Sequence, residues 1–139
     1  MVKTVMIVGG QRKNLPFFWL AEFPGTERRK MYCQINAGGL YGLQSYVAQV
    51  EVDISKGLPC FDMVGLLDSE VREARERLRV SLHHINAALP AEKITVNYSP
   101  AGIVKSGTSF DLPTALVILA AQGKVPPGRL RELWAVGEV

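Results

Sequence analysis

The sequence predicts an α+β fold in which helices pack against a mixed sheet. Three observations predict it. Apolar and polar residues alternate strictly over Tyr46–Ile54, an apolar stripe recurs at three- and four-residue steps over Val71–Ile85, and strand and helix signals follow one another in the order βββαβαβ.

Tyr32–Leu40 reads as the first strand and Gly42–Ser45 as a turn. In Tyr46–Ile54, Val47, Gln49, Glu51 and Asp53 alternate with Ala48, Val50, Val52 and Ile54, so one face of this second strand is apolar. Ser55-Lys56-Gly57-Leu58-Pro59 supplies turn residues, and Phe61–Leu66 follows as a third strand, giving an expected meander of three. Asp68 or Ser69 can cap the next helix, with Glu70 and Glu73 near the positive end of its dipole. Its buried stripe is Val71, Ala74, Leu78, Leu82 and Ile85. Arg72, Glu73, Arg75, Glu76, Arg77 and Arg79 fill the other face, which reads as solvated, with Glu73 and Arg77 at i,i+4. Beyond Pro90, Lys93–Ser99 returns as a strand rich in β-branched residues. A second helix spans about Asp111 to Ala121, with Pro113 in its first turn and Gly123 after its end, and Leu133–Val139 reads as a last strand.

Residues 1–30 differ from all this. They carry no periodicity, contain Pro16 and Pro24, place Phe17-Phe18-Trp19 in a row and end in Glu27-Arg28-Arg29-Lys30, so no packed element is expected there. The formal charge of +3 divides unequally. Residues 1–30 hold six Lys/Arg and two Asp/Glu, and residues 31–139 hold ten and eleven, so the expected domain is near neutral and offers no electrostatic footprint for DNA. No apolar run approaches the ~20 residues that cross a bilayer, and Val5-Met6-Ile7-Val8 is too short for a signal-peptide core. Cys33 and Cys60 form no C-x-x-C pair and read as reduced thiols packed in apolar strands; His83 and His84, adjacent on a helix, suit no chelate. A phosphate cradle of the form G-x-x-x-x-G-K followed by Ser or Thr is missing from the sequence. Gly9-Gly10-Gln11-Arg12-Lys13 lacks the second glycine, and Gly38-Gly39-Leu40-Tyr41-Gly42 reads as a strand ending in a turn.

Four stretches together resemble one family: Met31-Tyr32-Cys33-Gln34-Ile35-Asn36-Ala37-Gly38-Gly39-Leu40-Tyr41-Gly42, the run Val52–Leu66, Ile94-Thr95-Val96-Asn97, and Gly107-Thr108-Ser109-Phe110-Asp111-Leu112-Pro113. They resemble the amino-terminal domain of the ComM/YifB group of magnesium-chelatase-like ATPases. The resemblance implies a ribosomal protein S5 domain 2-like two-layer sandwich, shared with the Lon protease domain and incomplete here at the C-terminus. It makes 31–139 the domain and Met31 the expected initiator, with residues 1–30 an unstructured or mis-annotated leader.

For the full-length protein the resemblance implies a hexameric AAA+ ring, a cytoplasmic ATPase using ATP and Mg²⁺, with self-association and DNA as partners. The implied activity is branch migration in natural transformation and recombination. These residues would be a non-catalytic accessory domain, with no catalytic, cofactor-binding or metal residue and no membrane partner. Two alternatives stand beside it: a stand-alone S5-like module binding RNA or protein, and a Lon-like Ser-Lys hydrolase. For the latter, Lys105-Ser106-Gly107-Thr108-Ser109 resembles the Lon pattern and puts Ser109 at the nucleophile's position. Phe110 and Asp111 depart from the small residues expected after it, and Lys105 matches a loop lysine. The plainer reading is that Thr108 and Ser109 cap the second helix and Asp111 favours its first turn.

Overall fold

The computed structural model describes residues 6–9 and 32–139. In chain order the strands are β1 (Met6–Gly9), β2 (Cys33–Tyr41), β3 (Gln44–Ser55), β4 (Cys60–Val64), β5 (Lys93–Ser99) and β6 (Leu133–Val136). The helices are α1 (Ser69–His84), α2 (Asp111–Ala121) and the short α3 (Pro127–Leu130). This is an α+β architecture. It differs from the expected order in two added elements, α3 and β1; the latter falls in the stretch for which no packed element was expected.

The strands form one mixed sheet in the order β1-β6-β2-β3-β5-β4. β2 and β3 pair antiparallel from Cys33↔Val52 to Tyr41↔Gln44, and the hairpin closes through Gly42 and Leu43, with Gly42 at φ +60°. β3 pairs antiparallel with β5, whereas β4 pairs with β5 in parallel, Asp62 opposite Thr95. The expected meander of β2, β3 and β4 is therefore wrong. A helix follows β4, and a strand–helix–strand connection returns parallel to where it began, so β5 takes the place beside β3 and sends β4 to the edge. β6 runs parallel to β2, with Ala37 opposite Ala135, and pairs antiparallel with β1.

One face of the sheet makes the core. Ile35, Ala37, Ala48, Val50, Val52, Ile94, Val96 and Tyr98 are essentially inaccessible on that face, and they meet Val71, Ala74, Leu78 and Leu82 of α1 and Val117, Ile118 and Ala120 of α2. α2 is apolar almost all round because it packs on β2, β3, β6 and α1 at once. Two apolar expectations fail. Ile85 lies beyond the end of α1 as its C-cap and is 60% exposed, and Cys60 is exposed on β4 while Cys33 is buried.

Gly39 has a role that its place in a glycine-rich string concealed. A Cβ there would sit less than 3.0 Å from the ring of Tyr46, whose hydroxyl donates to the Val104 carbonyl at 3.3 Å. The bare strand at Gly39 is the seat of that ring. Gly39→Ala should destabilise the fold by about 1–3 kcal/mol through overpacking, read as a lower urea midpoint at unchanged slope. Gly102→Ala, where a Cβ would meet nothing within 4 Å, is the matched control.

Candidate functional site at the entry to the second helix

Three segments converge where α2 begins: the N-terminal half of α1, the loop between β5 and α2, and the residues after β6. Asp68 starts the assembly; of the two caps the sequence allows, Asp68 or Ser69, it is the one used. It is the N-cap of α1, with Oδ1 accepting from the Val71 amide at 2.9 Å, while Oδ2 accepts from the Gly107 amide at 3.3 Å. The loop is tied to the same point through its backbone. Lys105 N donates to Leu66 O at 2.8 Å, and Asp68 N donates to Lys105 O at 3.0 Å.

The centre of the junction is an ion pair the sequence reading missed. Asp111 is fully buried, and Arg77 reaches it from α1 with a forked contact, Nε to Oδ2 at 2.6 Å and Nη2 to Oδ1 at 3.0 Å. Arg77 Nη2 also donates to the Glu70 carbonyl at 2.9 Å. Arg77 is thus withdrawn from the solvated face and from the expected pairing with Glu73. Burial pushes the Asp111 carboxyl above its ordinary range, and the two guanidinium hydrogen bonds and the charge of Arg77 pull it back. The hydrogen bond to Asp111 raises Arg77 further still.

The C-terminal residues close the arrangement. Gly137 N donates to Ser109 O at 3.0 Å, Leu112 N donates to Gly137 O at 2.9 Å, Thr108 Oγ1 donates to Glu138 Oε2 at 3.3 Å, and the Val139 backbone donates to the Asp111 carboxylate. A groove of about 380 Å³ lined by Glu76, Arg77, Val80, Ser81 and Val139 lies alongside. The expected hydroxyl cap of α2 is not made: Phe110 is the N-cap residue, in a helical conformation and without a side-chain cap bond. With Thr108 engaged by Glu138 and the Asp111 amide donating to Thr108 O at 3.1 Å, the turn is satisfied without a hydroxyl. Behind it, Thr114 Oγ1 spends its proton on Phe110 O at 2.6 Å. Tyr98 is therefore the donor in its 2.9 Å contact with Thr114, and burial raises the phenol's pKa.

Ser109 and Lys105, the residues singled out for Lon-like chemistry, have different partners. Ser109 is half-buried in the turn entering α2. Lys105 is completely buried, and its amine donates to the carbonyls of Pro100 and Ile103, the latter at 2.9 Å. Burial lowers the lysine's pKa from its ordinary value. The amine serves the loop that it closes. That loop also forms one wall of a second cavity, about 320 Å³, opposite Tyr41, Gln44, Ser45 and Tyr46. Among the described residues, no three His, Cys, Asp or Glu side chains are grouped so as to hold a metal ion. Also among them, no helix is long and apolar enough to cross a membrane.

Comparison with known proteins gives this junction its context. A family model described as "Subunit ChlI of Mg-chelatase" matches residues 50–139. The chain is 43% identical over 98 residues to the uncharacterized protein YifB of Escherichia coli K12, and 40% identical over the same length to the competence protein ComM of Haemophilus influenzae; each match covers 70% of this chain and 19% of the relative. An uncharacterized protein of Mycobacterium bovis is 35% identical over 98 residues, 20% of its length. The chain thus spans about a fifth of the length of these relatives.

Two outcomes follow from the junction's electrostatics. Arg77→Met leaves a buried carboxylate without its partner and should cost about 3–5 kcal/mol, whereas Arg77→Met combined with Asp111→Leu should recover much of that loss in denaturant melts. For Lys105, the folded pKa lies below the unfolded value, so the unfolded chain binds more protons in the window below 10.5. Stability should therefore rise as pH climbs through that window, and in Lys105→Met this part of the pH dependence should vanish.

Proposed function

The chain belongs to the family described as subunit ChlI of Mg-chelatase, and from that premise we infer that it is the amino-terminal accessory domain of a longer, ComM-like AAA+ ATPase. That ATPase would be a hexameric cytoplasmic ring that uses ATP and Mg²⁺ to drive DNA branch migration in natural transformation and recombination. The observation that carries this reading is the 98-residue match to a protein named for competence, 40% identical. In this proposal the fold is the S5 domain 2-like sandwich, and the single buried sheet face covered by α1 and α2 supports it. The motor lies outside the residues considered: the 139 residues contain no G-x-x-x-x-G-K string ending in Ser or Thr, so no step of ATP chemistry is assigned to them. Insertion of Mg²⁺ into a porphyrin, which the family description evokes, is the weaker reading beside the ComM match.

Within such a ring the domain's part is protein contact and assembly. The open face of the sheet carries Glu51, Asp53 and Asp62 against Lys93, which gives no track for a phosphate backbone.

The deciding experiment uses the full-length protein on a synthetic four-way DNA junction. ATP- and Mg²⁺-dependent resolution into duplex products is expected, together with no ATP turnover by residues 31–139 alone. A full-length protein that hydrolyses ATP and leaves the junction unmoved would overturn the reading. Peptide hydrolysis abolished by Ser109→Ala would instead favour a Lon-like hydrolase.

A further inference from the structure

The sheet ends at β4. This strand pairs on one side only, with β5 from Cys60↔Lys93 to Val64↔Asn97, and no strand of the described residues covers its other side. Such an edge presents backbone N–H and C=O groups that a further strand can complete.

The side chains dictate what that strand must look like. Phe61 and Met63 turn toward the helices, half-buried and packed against the core. Cys60, Asp62 and Val64 turn the other way and are exposed. Apolar side chains continue past both ends of the strand, Leu58 being 88% and Leu66 48% exposed. On the open side Asp62 stands in register with Thr95 and, one strand further in, with Asp53; Val64 stands in register with Asn97 and Glu51. Lys93, beside Cys60, is the cation of this part of the face. The Cys60 thiol, a weak donor, gives the Asp62 carboxylate a hydrogen bond at 3.6 Å.

A second copy of the chain fits this edge poorly. Two-fold antiparallel pairing centred on Asp62, the middle residue of Cys60–Val64, would set the two Asp62 carboxylates directly opposite one another, and like charges there are destabilising. A short extended peptide of opposite charge avoids that repulsion and sets Lys or Arg against Asp62.

We propose that the free edge of β4 is a strand-addition site for an extended segment of a partner protein, with Lys or Arg opposite Asp62 and apolar residues beside Phe61 and Met63. The site stands whether or not the longer protein is a DNA motor, since it rests on the edge and its charges alone.

The test measures binding of short fluorescein-labelled peptides to the intact chain by anisotropy, with amide exchange followed by NMR. A peptide alternating Val and Lys should bind about tenfold more tightly than the same peptide with Glu for Lys, and Asp62→Lys should invert that preference. The amides of Phe61–Val64 should gain protection in the complex. N-methylation of the Val–Lys peptide keeps its charges but removes backbone donors, and it should abolish binding. Equal binding of the two peptides, protection that appears elsewhere, or undiminished binding of the N-methylated peptide would each overturn the proposal. The same holds if Asp62→Lys, folded by the exchange protection of β3 and β5, keeps the original preference.

Discussion

The constraint on which this structure depends is the forked contact between Arg77 and Asp111. A carboxylate with no solvent exposure is tolerable only when paired and hydrogen-bonded, and Arg77 supplies both from a different helix. That requirement fixes the distance and rotation of α1 against α2, because a planar guanidinium admits few orientations in a two-point contact. The Val139 backbone adds a further donor to the same carboxylate. One side chain therefore locates the start of α2, the flank of α1 and the residues leaving β6. Ser109 sits inside that junction, and its carbonyl is already engaged by Gly137. The Gly107–Pro113 stretch is conspicuous because it builds the helix junction.

What could be read in the sequence was what local periodicity controls. The alternation in β3, the main stripe of α1, the bounds of α2 and the cap at Asp68 all follow from residues within a few positions of each other. Strand order does not. Whether β4 lies beside β3 or beyond β5 depends on where α1 lands, and the turn at Gly57-Leu58-Pro59 is equally compatible with either. Ile85 continues the stripe numerically but lies beyond the last helical residue, so the period had no helix left to act on.

The junction itself was hidden for a different reason. Arg77 stands among Arg72, Arg75 and Arg79, all with glutamates in reach, and nothing in the spacing separates the one that turns inward. A signal existed on the other side of the contact: Asp111 stands between Phe110 and Leu112-Pro113 and opens an almost wholly apolar helix, which leaves a carboxylate little chance of meeting water. Lys105 carried a similar signal, an isolated cation after Gly102-Ile103-Val104 with no carboxylate nearby in sequence. Its burial is stabilised by carbonyls of its own loop, Pro100 and Ile103, and this needs no distant partner.

Charge also limits what the surfaces can do. On α1 two exposed arginines share one glutamate, Arg79 meeting Glu76 at 2.8 Å and Arg75 at 3.7 Å, while Arg72 donates to the Leu67 carbonyl. The β3–β5–β4 part of the sheet's open side carries Glu51, Asp53 and Asp62 with Lys93 beside them. Polyanion binding draws on counterion release by clustered Lys and Arg, and on both of these faces, among the described residues, the cations stand beside carboxylates. The pairing that the β4 edge leaves open, beside acidic side chains, is instead what the proposed strand addition by an extended basic segment would use.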